Sequence, residues 1–368
     1  MYKTFTPELY KLKQMYQTIL RQLLDQTEDT LCVSIILPTA KGFQDHKMTD
    51  ATLKGAFREA EKALTDKGAE KHTIQQLMEK LNQLAEGVDF ASSEEGLGFF
   101  VHDQLAEKVD FSFPVDHKVV VDTSFEVRDL VYGAGTLEEY FVLMLNRHES
   151  KLYYALGKKM WDVRKHHTDL KDLYVDAEWI FDKGNGDNEA FHTYLRQMDK
   201  NLGQYLNHRK LPVVVGGPED AVQYFFNQSR HAEQLMGRIH GSFDAEPDAK
   251  LHEALEPILE SIRNAHAEGM KERLAEAEGH HKASQGIGNV WPLAMEGRVE
   301  SLLVERGHRQ TAYVHDNELH IDAPGDGPHV LVEDAVDDLI EMVLKTHGQV
   351  FFLPMGTFEP KVAALLRY

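Results

Sequence analysis

The chain has 368 residues, more than one hydrophobic core usually serves, so two or three domains are expected, and 42% hydrophobic with 9% aromatic residues supplies material for real cores. Forty basic residues face 60 acidic ones for a net charge of −20, spread evenly: 15 basic against 22 acidic over 1–135, 19 against 25 over 136–282, and 6 against 13 over 283–368. No block is therefore a basic nucleic-acid module by bulk charge, and any RNA contact must come from a local patch.

Cys32 is the single cysteine and sits inside an apolar run, which reads as a small buried hydrophobe. One cysteine also excludes an intrachain disulfide or a cysteine zinc cluster and fits a reducing interior. Residues 1–10 are polar and Pro-interrupted, unlike a signal peptide, and no stretch reaches the roughly 18 uncharged apolar residues of a membrane span. A soluble, cytoplasmic protein is expected.

In chain order, Thr6-Pro7-Glu8 reads as a helix start, with Thr6 as N-cap and Pro7 in the first turn. Leu9, Leu12, Tyr16, Ile19, Leu20 and Leu23 then recur at helical spacing. Residues 31–37 form a strand ended by Pro38. Leu53, Ala56, Phe57, Ala60, Ala63 and Leu64 mark a second helix, and a third opens with a capping box of Thr73 and Gln76 before Leu77, Leu81 and Leu84. Residues 96–101 and 117–121 return to strand, so the first block is α/β. Tyr132-Gly133-Ala134-Gly135-Thr136 breaks the pattern and marks a boundary.

The second block opens with two strands, 141–145 and 151–156, and a polar, glycine-bearing excursion follows at 182–188. A helix near 191–206 and the apolar strand 211–217 complete an α/β layer whose exposed loop is the part free to act. A helix follows Pro218, and a long one over 251–277 carries Pro257 as a kink point. After Gly279 a polar hinge runs from His280 to Gln285. The last block repeats the logic with a helix near 290–296, a strand at 299–304, a Gly/Pro/Asp-rich loop at 322–328, a helix over 332–346 with Glu333 and Asp334 in its first turn, a strand at 349–353, and a short closing helix or strand. The fold class is α/β in three domains, 1–135, 136–282 and 283–368.

Twenty histidines invite a metal reading, but there is no His-Glu-x-x-His, and His166-His167 and His280-His281 lack a third ligand nearby in sequence. Neither a Gly-x-x-x-x-Gly-Lys-Ser/Thr phosphate loop nor a Gly-x-Ser-x-Gly elbow is present. The corner Val215-Gly216-Gly217-Pro218-Glu219-Asp220 offers helix N–H groups to an anion, yet its two carboxylates would repel one. No cofactor and no metal are expected. Local positive charge occurs at Lys158, Lys159, Arg164 and Lys165, again at Arg209 and Lys210, and singly at Lys54, which helical phase places opposite Leu53 and Phe57.

These residues resemble a family. Val33-Ser34-Ile35-Ile36-Leu37-Pro38-Thr39, the strand at 96–101, the hairpin at 141–156, the strand 211–217 ending in Gly-Gly, Gly297-Arg298-Val299-Glu300-Ser301-Leu302-Leu303-Val304 and the ending Ala363-Ala364-Leu365-Leu366-Arg367-Tyr368 follow, in order and spacing, those of the bacterial members of the archaeo-eukaryotic peptide-chain release factor superfamily, relatives of the eukaryotic release factor and of Pelota. The resemblance implies a ribonuclease-H-like middle domain and a last domain that is an α/β/α sandwich similar to RNA-binding ribosomal proteins. Release factors carry Gly-Gly-Gln on the middle-domain loop, where it helps water attack the peptidyl-tRNA ester. This sequence has no Gly-Gly-Gln, and its corresponding loop reads Gly184-Asn185-Gly186-Asp187-Asn188. The codon-reading Asn-Ile-Lys-Ser is absent too, with Thr52-Leu53-Lys54-Gly55 in its place.

The implied role is a non-catalytic, ribosome-associated factor in rescue, recycling or hibernation, and peptidyl-tRNA hydrolysis is not expected. Its contacts with the ribosome or ribosomal RNA would come from Lys54, Lys158, Lys159, Arg164, Lys165, Gly184, Asn185, Gly186, Asn188, Arg209 and Lys210. No membrane or DNA partner is expected. Two alternatives stay open: an ester or phosphoester hydrolase using Asp162, Asp182 or Asp187, and an acidic module that binds a protein partner.

Overall fold

The computed structural model describes residues 7–26, 30–39, 45–88, 94–135, 137–146, 150–163, 188–241, 249–322 and 328–368. They fall into two compact units: residues 137–266 with the first ten, and residues 11–136 with 267–368. The α/β class expected from sequence is observed in both.

In the discontinuous unit the chain begins with helix α1 (Pro7–Leu24) and strand β1 (Cys32–Pro38), then helices α2 (Asp45–Asp66) and α3 (Lys71–Glu86). Strands β2 (Gly96–Val101), β3 (Ala106–Phe111) and β4 (Lys118–Asp122) complete an antiparallel sheet in the order β3-β2-β1-β4. Strand β1 is apolar from Cys32 to Leu37 except at Ser34, whose buried hydroxyl accepts the Glu126 N–H at 3.0 Å, because both of its faces are covered. Val33, Ile35 and Leu37 project with Phe99 into a core closed by Leu53, Phe57 and Leu64 of α2 and Leu77 and Leu81 of α3. Tyr16 of α1 stacks on Phe111 at 6.0 Å, donates its hydroxyl hydrogen to the Asp110 carbonyl at 3.1 Å, and accepts from the Ser112 N–H at 3.2 Å.

Two local expectations are corrected here. Helix α3 starts two residues before Thr73, with Glu70 at the N-cap and no side-chain cap, so Thr73 and Gln76 form no capping box. The Gln76 amide instead donates to Asp103 at 3.1 Å, a longer-range contact that sequence spacing does not reveal. Tyr132 to Gly135 continues helix α4 (Arg128–Gly135) to its end instead of interrupting the pattern, and the division between the two units falls directly after it, at 136/137. Its Gly133 is chosen for packing, since a Cβ there would lie 2.9 Å from the Tyr16 ring. Cys32, by contrast, is buried as expected, and burial pushes its thiol up to about 12.

The same unit continues at the other end of the chain. Strand β10 (Ala283–Gln285) occupies half of the expected polar hinge, because its backbone pairs with the last strand, β16 (Val362–Leu366). Helix α8 (Ile287–Met295) and strand β11 (Val299–Glu305) follow, and β11 pairs antiparallel with β16 and parallel with β15 (Gln349–Leu353). A smaller sheet of three short strands, β12 (Ala312–His315), β13 (Glu318–His320) and β14 (Val330–Val332), lies between them in sequence. Helix α9 (Ala335–Lys345) begins later than expected: Asp334 is its N-cap, accepting from the Val336 N–H at 3.2 Å, and Asp337 and Asp338 occupy the first turn.

Buried charge joins the two ends within this unit. Arg128 of α4 donates to Asp334 at 2.6 Å and to the His308 carbonyl. The Asp337 carboxylate accepts the backbone N–H groups of Val127 and Arg128 at 3.2 and 3.0 Å. Beside them Lys118 contacts Glu126 at 2.8 Å and Asp129 at 2.7 Å. Tyr132 adds an edge-to-face contact with Phe352 at 6.0 Å and lies under Arg306 at 4.2 Å.

The continuous unit is built on a five-stranded mixed sheet. Strands β5 (Glu139–Met144), β6 (Lys151–Leu156) and β7 (Lys159–Asp162) form an antiparallel meander, while β8 (Val213–Gly217) and β9 (Leu235–His240) run parallel to β5 on its other side. The order is β7-β6-β5-β8-β9. Alternation along β5 sends Tyr140 and Val142 to one face, against Leu251, Leu255 and Leu259 of helix α7 (Ala249–Gly279). Phe141 and Leu143 face the other way, where Tyr205, Leu202 and Met198 of helix α5 (Asn188–Leu206) cover them. Helix α6 (Glu219–Gln228) follows β8. Each of those large side chains contributes about 1.5–3 kcal/mol by leaving water. The second half of α7 belongs to the other unit, where Ala267, Met270 and Leu274 meet Leu303 and Leu365.

Candidate nucleic-acid interface

The basic residues predicted around 158 and 209 lie fifty positions apart in sequence, and the sheet brings them to one end. Register places Glu139 of β5 opposite Leu156 of β6, and Leu156 opposite Lys159 of β7. The turn between β6 and β7 consists of Gly157 and Lys158. Gly157 takes a left-handed φ of 55° and donates its N–H to the Glu138 carbonyl at 2.9 Å. Lys158 is exposed at the tip of that turn and Lys159 half-buried beside it. On the neighbouring side, Arg209 and Lys210 precede β8, which starts at the same end because it runs parallel to β5.

Arg209 reaches Glu139 at 2.5 Å, and the same carboxylate accepts the Tyr154 hydroxyl at 2.9 Å. Burial, reinforced by the adjacent Glu139 charge, pushes the Tyr154 phenol up, so it stays a donor. Arg263 of α7 joins this end through Glu256 at 2.7 Å and Glu138 at 3.4 Å. Burial opposes its charge, but the two carboxylates outweigh it and raise its pKa. Nothing in the sequence near 263 marked that residue, because Glu138, the partner that fixes it at this end, lies 125 positions away in the chain. Tyr140 closes the structure underneath, donating to the Gly157 carbonyl at 2.9 Å. The result is a group of cations at one sheet end, in which Glu139 holds Arg209, Glu138 and Glu256 hold Arg263, and Lys158 and Lys210 are exposed.

At the opposite end of the sheet the backbone is tightly apposed. Leu145 donates its N–H to the Gly216 carbonyl at 2.7 Å, and a Cβ on Gly217 would stand 2.4 Å from the Leu145 carbonyl oxygen, at a φ of 143°. That explains the Gly-Gly pair sterically. The Gly-Gly corner also begins α6 with Glu219 and Asp220 in its first turn, and the Asp220 carboxylate accepts from the Ala221 N–H at 3.0 Å.

Of the other predicted residues, Lys54 is exposed on α2 in the discontinuous unit, opposite the buried Leu53 and Phe57. Arg164, Lys165, Gly184, Asn185 and Gly186 lie outside the described residues, as do Asp182 and Asp187 and the side chain of Asn188, whose backbone begins α5. Asp162 is buried at the end of β7. Among the described residues no group of three or more His, Cys, Asp or Glu side chains could hold a metal ion, and no helix is long and apolar enough to cross a membrane.

Part of the chain is similar to a release-factor family. Residues 139–298 match the model of the Bacterial archaeo-eukaryotic release factor family 3, a segment that takes in the five-stranded sheet and all of α7. A search of curated proteins gave no significant match. Among solved structures, the archaeal translation termination factor aRF1 is 16% identical over 97% of this chain and 98% of its own, with a TM-score of 0.26. Pelota from Archaeoglobus fulgidus is 14% identical over 74% and 79%, with a TM-score of 0.37. Dom34 from S. cerevisiae is 14% identical over 74% and 80%, with a TM-score of 0.34. At such identities and scores the likeness bears on neither activity nor partner.

Proposed function

We propose that this protein is a ribosome-associated translation factor that acts by binding, in rescue, recycling or hibernation, and does not hydrolyse the peptidyl-tRNA ester. One observation carries the reading: the segment that matches a release-factor family also gathers Lys158, Lys159, Arg209 and Lys210 at one sheet end, while the sequence lacks Gly-Gly-Gln. A local group of this kind is what a protein of net charge −20 needs to approach RNA, because salt screens the remaining charge beyond about 8–10 Å. Lys54 of the discontinuous unit, and Arg164, Lys165, Gly184, Asn185, Gly186 and Asn188, are proposed as further RNA contacts, and a protein partner would use the acidic remainder.

The test is co-sedimentation with ribosomes. Four phosphate contacts predict that affinity falls on the order of 50- to 150-fold between 50 and 200 mM salt. The double charge reversal Lys158→Glu/Lys210→Glu removes the protein from the ribosomal fraction at the lower salt. Absence of the unaltered protein from that fraction at both salts would sink the proposal, and release of peptide from a peptidyl-tRNA would sink its non-catalytic part.

A further inference from the structure

A second basic feature lies in the continuous unit, between helices α5 and α6. Helices α5 and α6 part to leave a cleft of about 510 Å³, lined by Thr193, Arg196 and Lys200 of α5, Tyr224 of α6, and Arg230 just beyond it. This volume is within the range of small-molecule pockets. Arg196 and Lys200 are four residues apart and so share one helix face. Both are exposed, as is Arg230. Among the described residues none of the three forms an ion pair; the one side-chain contact of Arg196 is a donation to the Thr193 hydroxyl at 2.9 Å. The carboxylate in the cleft, Asp199, is buried and already engaged. It accepts the Ser229 hydroxyl at 2.5 Å and the Arg230 N–H at 3.2 Å, which fixes the loop that carries Arg230.

Aromatic surface adjoins the three cations. The His192 ring lies flat on Tyr224, with centroids 3.9 Å apart and planes 8° from parallel. Cations lining a groove beside a stacked ring pair are what a single strand requires, phosphates on the charges and a base on the π-face. A duplex would need an open surface rather than a gap between two helices.

We infer that this cleft binds a single-stranded RNA segment, with Arg196, Lys200 and Arg230 on successive phosphates and Tyr224 against a base. The choice of RNA over another polyanion rests on the release-factor-like reading; the site rests on the cleft.

The probe is a labelled oligouridine of about 8–16 nucleotides, titrated into the full chain by fluorescence anisotropy across a salt series. Replacing the three cations together, Arg196→Gln/Lys200→Gln/Arg230→Gln, weakens binding at least about tenfold at 50 mM salt and lowers the log-log salt slope by about 2. Tyr224→Leu weakens binding about tenfold while leaving the slope unchanged, a separation that loss of charge cannot mimic. Unaltered binding in the triple variant overturns the site. Equal binding of a polyglutamate of the same charge overturns the RNA assignment. Oligouridine binding that requires the cleft, in a protein that never co-sediments with ribosomes, would remove the ribosomal role and leave the site; co-sedimentation with no oligouridine binding would do the reverse.

Discussion

Arg128 is the residue whose loss has the most calculable cost. The residue is 5% exposed, its guanidinium bonded to Asp334 and to the His308 carbonyl, with Glu126 3.9 Å from its Nε and Asp337 immediately beside its backbone. Burial, together with the Glu126 charge, pushes the Asp337 carboxyl well up, and Arg128, more than Lys118, pulls against that rise. Arg128→Met keeps much of the side-chain volume and deletes the charge, leaving Asp334, Asp337 and Glu126 with Lys118 as the remaining buried cation. Breaking a buried pair in this one-sided way costs about 3–5 kcal/mol. The lower end applies, because the Arg128 Nε makes no hydrogen bond in the native state. With a urea dependence of about 2–3 kcal/mol per molar, the midpoint drops by about 1 M or more. Hydrogen exchange at the amides of β11 and β15, followed along the urea series, reads this unit separately from the other. Arg128→Lys, which keeps the charge but loses the planar fork, falls between the two. A shift below about 0.2 M in Arg128→Met would mean that the carboxylates are not held by this guanidinium, and the account of the cluster would be wrong.

Two further outcomes follow from the same coordinates. Asp338, raised to about 7 by burial and then by Glu341 and Asp122, binds its proton more tightly folded than unfolded, so its stabilising contribution is present below about pH 4 and is lost as pH rises towards 7. Asp338→Asn should therefore raise stability at pH 8 by on the order of 1–2 kcal/mol and leave it unchanged at pH 4; urea midpoints at the two values check this. Gly217→Ala should destabilise the continuous unit by about 2–4 kcal/mol, read as a lower thermal midpoint, because its Cβ would strike the Leu145 carbonyl at a φ that L-residues rarely adopt.

The buried strands were legible in sequence because burial on both faces demands a nearly continuous apolar run: Val33 to Leu37, with Ser34 its one polar residue, and Val213 to Val215 carry their own signal. The strands that sequence reading passed over are those with mixed faces. Ala106 to Phe111 alternates charge with Val109 and Phe111, Lys159 to Asp162 is short, and Ala283 to Gln285 is a strand only because β16 pairs with it. Glycine misled at 133, where packing against Tyr16 rather than a turn selected it. The candidate interface was half visible. Runs of lysine and arginine announce themselves, but that 158 and 210 share a sheet end depends on β5, β6 and β8 being neighbours, and Arg263 reaches that end only through Glu138 and Glu256. The cleft between α5 and α6 was invisible for the same reason, although the four-residue spacing of Arg196 and Lys200 was a clue.

The pairing of Arg128 with Asp334 spans 206 positions of chain. On a ribosome adding about 5–20 residues each second, the guanidinium waits on the order of 10–40 s for its carboxylate. Throughout that interval the five-stranded sheet between them can complete itself, whereas the unit containing Arg128 lacks its closing half. The buried cluster that ties the two ends of the chain together is thus among the last parts of its unit to form, and an early stop in translation would release a chain in which Arg128 has no Asp334 to meet.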